Sequence, residues 1–374
     1  MRPTTAIHST LGGLMGFLVL AMALLAPTAA PGAEKEGQTP SWNFVSFPDF
    51  FNFDVSEPEP KWDSAINFYL AQLKSEDPAF SLTAGDMVDG RWYSEAAQVE
   101  HLGNVYYAGW MRRIRRHDLT PVYTAIGDHE LGDNPWPKKK AKLIPEFYEA
   151  FEEHMENPQN GPEGYLERTY AVRHRNMLVI TLQMYERQDG DVIPTVGQTQ
   201  LDWMKKTLDR HDDATFVIVQ GHNPILPGVR ARSSSKIMHK GKHKSELWQI
   251  MAERGVDLFF AGEFHDTTCR KHEGVWQVVH GASWGRGFPA NYLLGEVRGD
   301  KLHLTVKEIP TVSKGGDIWN ANKGNGPSEY VLIPEKHRKE GFKTIATMTI
   351  DKSGEQTRFI NRTGRFTQEF DALE

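Results

Sequence analysis

Short apolar runs alternate with amphipathic helical patterns along the middle of this chain. The runs are rich in β-branched and aromatic residues and predict strands at 43–46, 80–84, 121–126, 177–182, 215–220 and 256–261. Apolar residues recur at helical spacing in 61–75 and 199–210, and Thr199 is expected to cap the second of these helices. The alternation predicts an α/β fold, with helices packed on sheets and a functional site on loops at the carboxyl ends of the strands.

The pattern changes near residue 275, after which strands dominate. Runs at 276–279, 292–297 and 302–306 predict strands with little helix between them. The stretch 309–335 is expected to be a surface loop, and residues 336–374 to form a β-hairpin packed on the same domain, which spans 43–308. We expect these C-terminal strands to be antiparallel and to complete a second sheet.

The N-terminus has the three parts of a secretory signal peptide. Arg2 precedes the apolar run LGGLMGFLVLAMALLA at 11–26, and the small residues PTAAPGA follow it. This order predicts a signal peptide at 1–33 and a flexible segment at 34–42. The run is shorter than the about 20 residues of a usual membrane span, and a retained anchor is the alternative. We therefore expect a secreted or periplasmic protein, with no membrane span after signal removal.

Charge and cysteine content argue against two classes of protein. The formal net charge is −6 and the lysines are scattered, so there is no evident platform for nucleic acid. The single Cys269 excludes an internal disulfide framework. Stability must therefore come from an ordinary packed core, which a chain of this length can form.

Five of the predicted strands are each followed by carboxylates or imidazoles, usually beside a glycine. These residues are Asp49 in FPDFFN, Asp86 and Asp89 in GDMVD, Asp128, His129 and Glu130 in GDHE, His222 in QGHNP, and Glu263 and His265 in AGEFHD. Two divalent cations roughly 3.5–4 Å apart can neutralise the oxygens of a phosphate ester and lower the pKa of a shared water. A histidine is suited to protonate the leaving oxygen. The inventory predicts hydrolysis of phosphate esters by metal-activated hydroxide, and Glu130 is expected to support its loop.

The ordered series Asp…GDxxD…G(N/D)HE…GHxP…Gx(x)H resembles the calcineurin-like metallophosphoesterase superfamily over residues 43–285. The resemblance implies a four-layer β-sandwich flanked by α-helices. It also implies a role for each motif residue: Asp49 and His265 would bind the first metal, Asp86 would bridge, and Asp128, His222 and Glu263 would bind the second metal. His129 would be the general acid, and Asp89 would keep its imidazole protonated.

Three positions depart from the family pattern. Phe51 stands where the first motif has a histidine, so Asn52 or a water would take that place. Asp128 replaces an asparagine, and Glu263 replaces a histidine. The resulting ligand set is rich in carboxylates, which favours Mn, Fe, Mg or Ca over Zn as the two divalent ions. The first site has lost a ligand and is expected to be the weaker one.

The substrate is a phosphorylated compound whose identity the sequence does not reveal, either a phosphomonoester or a phosphodiester. Arg91, Arg230 and Arg232 are candidates to bind its anionic group. The two later arginines lie in a basic segment after His222, and a solvated loop with a serine helix cap is the equal alternative. The competing hypothesis for the whole protein is a metal-stabilised ligand-binding protein that has lost catalysis, because the first motif lacks its histidine.

Overall fold

The computed structural model describes residues 41–50, 60–88, 90, 95–232, 234–281, 288–314, 330–354 and 358–367. The predicted signal peptide and all but the last two residues of the predicted flexible segment lie outside these ranges. Ser41 and Trp42 already belong to the first strand. These two residues join the strand because the Trp42 ring is buried against Phe80 and His174. Over the described ranges, no helix has the length and apolar character that a membrane crossing requires.

Strands and helices alternate along the chain as the sequence predicts. The strands are β1 (Ser41–Ser46), β2 (Pro78–Thr83), β3 (Val122–Thr124), β4 (Tyr170–His174), β5 (Met177–Thr181), β6 (Glu186–Gln188), β7 (Asp191–Ile193), β8 (Phe216–Gln220), β9 (Leu258–Ala261), β10 (Thr268–His272), β11 (Val275–Val279), β12 (Ala290–Arg298), β13 (Lys301–Ile309), β14 (Val312–Lys314), β15 (Tyr330–Leu332), β16 (Lys343–Asp351) and β17 (Arg358–Gly364). The α-helices are α1 (Pro60–Ser75), α2 (Ala96–Arg116), α3 (Lys138–Ala141), α4 (Ile144–Met155), α5 (Gln198–Arg210), α6 (Glu246–Glu253) and α7 (Glu335–Glu340).

Two sheets contain most of the strands. One has seven strands in the order β17-β16-β13-β12-β1-β2-β3, and the other has six in the order β10-β11-β9-β8-β5-β4. Strands β1, β2 and β3 are parallel neighbours, and so are β5, β8 and β9. Parallel neighbours point their carboxyl ends to one edge of a sheet. The loops after β1, β2 and β3 therefore leave the first sheet at a single edge, and those after β8 and β9 leave the second in the same way.

Side chains alternate between the two faces of each sheet, and this produces four layers. Met177 and Val179 of β5 join the core shared by both sheets, whereas Leu178 and Ile180 join the core under α5 and α6. On the other side of the molecule, α1, α2 and α4 bury their apolar faces against the seven-stranded sheet. Each large apolar side chain buried in this way stabilises the fold by about 1.5–3 kcal/mol. The helix–sheet–sheet–helix order confirms the predicted fold class.

The strands after residue 275 are distributed differently from the prediction. Strand β11 joins the six-stranded sheet beside β9, whereas β12, β13, β16 and β17 extend the sheet that β1 begins. Strands β12, β13, β16 and β17 are antiparallel as expected, but they extend the sheet of β1 and do not complete a second one. Period-two apolar alternation shows which face of a strand is buried, but it does not identify the neighbouring strand.

Two local predictions also differ from the structure. Gly197, with no side-chain cap, precedes α5, so that Thr199 lies inside the first turn and is not the N-cap. Within 309–335, expected to be a loop, β14 pairs antiparallel with β15. The run Tyr-Val-Leu of β15 is aromatic and β-branched, and such residues favour a strand wherever a partner is available.

Candidate metal centre

Six predicted metal ligands meet where the carboxyl ends of the two sheets approach each other. Asp49, Asp86 and Asp128 follow β1, β2 and β3 of the seven-stranded sheet, and His222, Glu263 and His265 follow β8 and β9 of the six-stranded sheet. All six side chains are buried, none more than 6% exposed. Burying so many ionisable groups in one place is costly unless a counter-charge is bound among them.

His222 lies at the centre of one group of ligands. Its Nε2 atom is 3.1 Å from Asp128 Oδ1 and 3.4 Å from both Asp86 Oδ2 and Glu263 Oε2. Its Nδ1 atom is 2.7 Å from the carbonyl oxygen of Ala84 and donates a hydrogen bond there. In the neutral tautomer, Nε2 then presents its lone pair to the three carboxylates. A divalent cation between Nε2 and the carboxylate oxygens would satisfy all four side chains.

A second group contains Asp49, Asp86 and His265. One ligand atom from each of these residues lies within 4.8 Å of the others, as is also true of Asp86, Asp128 and His222. His265 Nε2 is 4.0 Å from Asp49 Oδ1, and its Nδ1 is 2.9 Å from the carbonyl oxygen of Arg232. Asp86 belongs to both groups, which is the arrangement expected of a carboxylate that bridges two cations.

Asp49 and Asp86 each have one oxygen bonded by the protein and one that is not. Asp49 Oδ1 accepts a hydrogen bond from the backbone N–H of Glu263 at 3.0 Å. Asp86 Oδ1 accepts one from the backbone N–H of His129 at 3.1 Å. The Oδ2 atoms of both residues are buried and accept no hydrogen bond from any described residue. Buried carboxylate oxygens rarely lack partners unless they bind a cation. The residues present therefore fit a pair of divalent ions.

The pKa values of these buried ligands also indicate that the site favours bound positive charge. Burial raises the pKa of Asp49 to about 7, and burial together with the charge of Asp128 raises the pKa of Asp86 well above its ordinary value. The pKa of Glu263 is raised for the same reasons. Burial opposes a charged His222, but Asp86, Asp128 and Glu263 outweigh it and raise the pKa of this imidazole. The group therefore favours the binding of positive charge, whether as protons or as metal cations.

His265 differs from His222 in its protonation. Burial, and then the charge of His129, lower the pKa of His265 to about 3. Its imidazole is therefore neutral at physiological pH, which is the form that binds a metal ion. With Nδ1 donating to Arg232, the nitrogen that faces Asp49 is Nε2.

The backbone at these strand ends takes conformations that most residues avoid. Asp49, Asp86, Glu263 and His265 have φ angles of 56°, 56°, 68° and 52°, in the left-handed region. Tight packing adds a second demand at Gly281, where an added Cβ would lie 1.9 Å from Asp49 Oδ2. Gly281 was not predicted from the sequence, although a glycine just after a strand such as β11 is the same signal that marks the other motifs.

Glu130 connects two of the ligand loops. Its carboxylate accepts hydrogen bonds from the backbone N–H groups of Asp86 and Gly127, both at 2.7 Å, and of Met87 at 2.9 Å. The side chain is fully buried, so these bonds take the place of its hydration. Glu130 holds the loops after β2 and β3 together, consistent with the supporting role expected from the sequence.

His129, the predicted general acid, begins a short 3₁₀ helix directly after Asp128 and is 5% exposed. Its Nε2 atom lies 3.7 Å from Asp133 Oδ1, a partner that the sequence analysis missed. The spacing of four residues in GDHELGD is the signal that could have found it. Its predicted partner Asp89 lies outside the described residues, as do the candidate ligand Asn52 and the candidate substrate-binding residue Arg91.

The structure pairs Arg230 and Arg232 with a buried carboxylate. Arg232 Nε is 2.9 Å from Asp266 Oδ2, and Arg230 Nε is 3.7 Å from the same atom. Arg365 contacts the other oxygen of Asp266 at 3.2 Å and also pairs with Glu308. Arg230 and Arg232 thus neutralise Asp266, and a role for them in substrate binding stays a prediction.

Comparisons with known proteins identify a matching family and similar folds. The family model described as calcineurin-like phosphoesterase matches residues 59–266. The fold is similar to that of a dimetal phosphatase from Danio rerio, with a TM-score of 0.51 and 12% identity over 71% of this chain and 95% of that one. GAP50, the anchor in the inner membrane complex of Plasmodium, gives a TM-score of 0.45 and 13% identity over 79% and 89%.

No curated protein is significantly similar to this chain in sequence. The solved structures share so few identical residues with it that they show the fold alone. The family match is different in kind, because it covers more than half of the chain and includes five of the six buried ligand positions. The chain therefore belongs to the calcineurin-like phosphoesterase family.

Proposed function

We propose that this protein is an exported hydrolase of phosphate esters that works with two divalent metal ions. The observation that carries the proposal is the position of Asp86, which belongs to both groups of buried ligands. A shared carboxylate holds two cations close enough to act on one ester group. Family membership supports the same chemistry. Among phosphate esters, we propose monoesters or diesters as substrates.

When bound, the two ions would neutralise the ester oxygens and lower the pKa of a water molecule. The protein residues have separate tasks. His222 and His265 direct their Nε2 atoms to the carboxylates, because backbone carbonyls fix their Nδ1 atoms. His129 lies beside the ligands on the loop after β3, where it would donate a proton to the leaving oxygen. Asp133 is placed to orient that imidazole.

The ligand set supports Mn, Fe, Mg or Ca in preference to Zn. Four of the six buried side chains are carboxylates, and no cysteine is among them. Oxygen donors suit hard cations, whereas thiolates and several imidazoles are typical of zinc sites. Metal analysis of the purified protein by mass spectrometry tests this preference directly.

The decisive experiment measures hydrolysis by the full mature protein after removal of metals and reloading with Mn²⁺. The substrates are p-nitrophenyl phosphate and bis(p-nitrophenyl) phosphate, which separate monoesterase from diesterase activity. Asp86→Asn is the test variant, and Asp212→Asn, an exposed aspartate after α5, is the matched control. We expect activity in the wild type and the control, and none in Asp86→Asn. A wild type that binds Mn²⁺ and cleaves neither substrate would overturn the proposal.

Export is supported by the basic, apolar and small-residue order of the N-terminus. The test is expression of the full chain in a bacterial host, followed by separation of the cytoplasmic, membrane and periplasmic fractions. We expect a periplasmic or secreted product that begins near residue 34. Recovery of the uncleaved chain in the cytoplasm or the membrane would overturn this part of the proposal.

A further inference from the structure

Two ligands of the group around His222 are carboxylates where the family pattern has a neutral side chain. Asp128 stands in the place of an asparagine, and Glu263 in the place of a histidine. A carboxylate has two equivalent oxygens and can bind a cation through either or both. The hydrogen bonds that the protein makes to each carboxylate then decide which of its oxygens is free for a cation.

Glu263 has such a means in the segment that follows His222. Its Oε1 atom accepts hydrogen bonds from the Ser234 hydroxyl at 2.7 Å and from the Ile237 backbone N–H at 2.9 Å. Its Oε2 atom is left to face His222 Nε2 at 3.4 Å. The Ser234 hydroxyl also accepts a bond from the Lys236 N–H at 2.8 Å, so its own orientation is fixed.

Asp128 is held in the same manner from a different loop. Its Oδ2 atom accepts a hydrogen bond from Asn134 Nδ2 at 2.9 Å, and its Oδ1 atom faces His222 Nε2 at 3.1 Å. The same Asn134 amide donates to Ser235 Oγ at 2.7 Å, which joins the two loops that carry these donors.

We propose that Asn134 and Ser234 are positioning residues, each of which turns one carboxylate oxygen toward the cation beside His222. This inference rests on the proposed function, because it concerns how that metal centre is held. The two donors occupy the outer oxygens of Asp128 and Glu263, so each carboxylate would bind a cation through its other oxygen. Hydrogen bonds from neutral donors also draw charge from the carboxylates, which would leave a bound cation more able to polarise a phosphate oxygen.

The alternative role for Ser234, that of a helix cap, fits its contacts less well. The serine that caps α6 is Ser245, whose hydroxyl accepts a hydrogen bond from the Trp248 N–H at 3.3 Å. Ser234 lies eleven positions earlier and makes its shortest bond to Glu263. The serine helix cap expected in this segment therefore exists, but it is a different residue.

The test is Mn²⁺ binding to the full mature protein, measured by calorimetry and by the electron paramagnetic resonance spectrum of the bound ion. Asn134→Ala and Ser234→Ala should each weaken one of the Mn²⁺ sites by about tenfold or more, the usual effect of removing a hydrogen bond to a metal ligand. Both should also change the spectrum. Ser234→Thr keeps the hydroxyl and should restore the affinity and spectrum of the wild type.

Two matched variants separate positioning from general loss of stability. Ser245→Ala removes the cap of α6 in the same segment, and Asn160→Ala removes an amide that bonds only the backbone of Ala171. Both should lower the melting temperature and leave Mn²⁺ affinity within about twofold of the wild type, since neither residue touches a ligand.

If Asn134→Ala and Ser234→Ala bind Mn²⁺ as the wild type does, the inference is wrong while the proposed function stands. If Ser245→Ala weakens binding as much as Ser234→Ala, the effect belongs to the loop as a whole and the inference is again wrong. If the wild type itself binds no Mn²⁺, the proposed function fails first, so that the two failures are distinguishable.

Discussion

Gly127 lies so close to Asp86 that a Cβ atom added to it would be 2.1 Å from Asp86 Oδ1. It would also lie 2.6 Å from the Asp86 backbone nitrogen, which cannot move without shifting the loop after β2. The backbone of the loop after β3 thus packs directly against the backbone and the carboxylate of Asp86. Glycine is required here by space alone, because the φ angle of Gly127 is not positive.

Gly127→Ala should therefore destabilise the protein by about 1–3 kcal/mol and abolish tight Mn²⁺ binding, because the clash falls on a metal ligand. Gly354→Ala is the matched control, since a Cβ there meets nothing within 4 Å and the φ angle is not positive. It should be neutral or stabilising by up to about 1 kcal/mol. Denaturant unfolding and Mn²⁺ titration of both variants check this, and equal stability of the two would contradict it.

His129→Ala should lower kcat by about 10²–10⁴ while the protein still binds Mn²⁺, because a general acid contributes about that much to the chemical step. Activity toward an ester with a very acidic leaving group should fall much less, since such a group departs without a proton. His101→Ala, an exposed histidine of α2, is the control and should keep full activity. An equal loss of activity on esters with acidic leaving groups and on esters with basic leaving groups would refute the assignment of His129 as the acid.

Glu130→Gln should lower the free energy of unfolding by about 3 kcal/mol, because charge-assisted bonds to buried N–H groups are lost or weakened. An amide keeps only one acceptor atom, whereas the carboxylate accepts from Asp86, Gly127 and Met87. Glu253→Gln, on the exposed face of α6, is the control and should change stability by less than about 0.5 kcal/mol. Urea unfolding measures both, and a mild effect of Glu130→Gln would show that the loops are held by other contacts.

The stability of the metal-free protein should depend on pH through Asp49. The pKa of Asp49 is about 7 in the folded protein against an ordinary value of 3.8, so the folded state holds a proton that the unfolded state releases. Stability from this group is full below about pH 4 and falls as pH rises to about 7. Asp49→Asn cannot ionise and lacks this loss.

The melting temperature of metal-free Asp49→Asn should therefore rise relative to wild type as pH increases from 5 to 8. In the wild type, Mn²⁺ should raise the melting temperature more at pH 8 than at pH 5, because the cation binds the ionised form. Thermal melts of both proteins with and without Mn²⁺ provide the measurement. If the melting temperatures of metal-free wild type and Asp49→Asn differ by the same amount at every pH from 5 to 8, Asp49 does not bind the proton.

The sequence anticipates the layers of the fold and the meeting of the ligands for a simple reason. Both depend on local signals: the spacing of apolar residues within each strand, and the polar residue that follows the end of the strand. Parallel strands then bring residues such as Asp86 and Asp128 to one edge without further information. The predicted metal roles of these residues await the experiments above.

Other features depend on contacts that no local pattern contains. Asn134 and Ser235 are 101 positions apart, and their bond exists only because two loops from different sheets meet beside Asp128. The placement of β12 beside β1 likewise depends on which edge is available, not on the residues of either strand alone. Thr199 shows the limit at short range, because the helix begins two residues earlier than its predicted cap requires.

The predicted ligands come from both sheets, so cations bound among them would also join the two sheets. Asp128 and His222 are 94 positions apart, and Asp49 and Glu263 are 214 apart. A cation bound between such distant residues is a removable cross-link that closes very long loops of chain, and long loops lose the most entropy on closure. Release of the ions would therefore free the same end of both sheets together, and proteolytic nicking or hydrogen exchange should begin there before it reaches the helices.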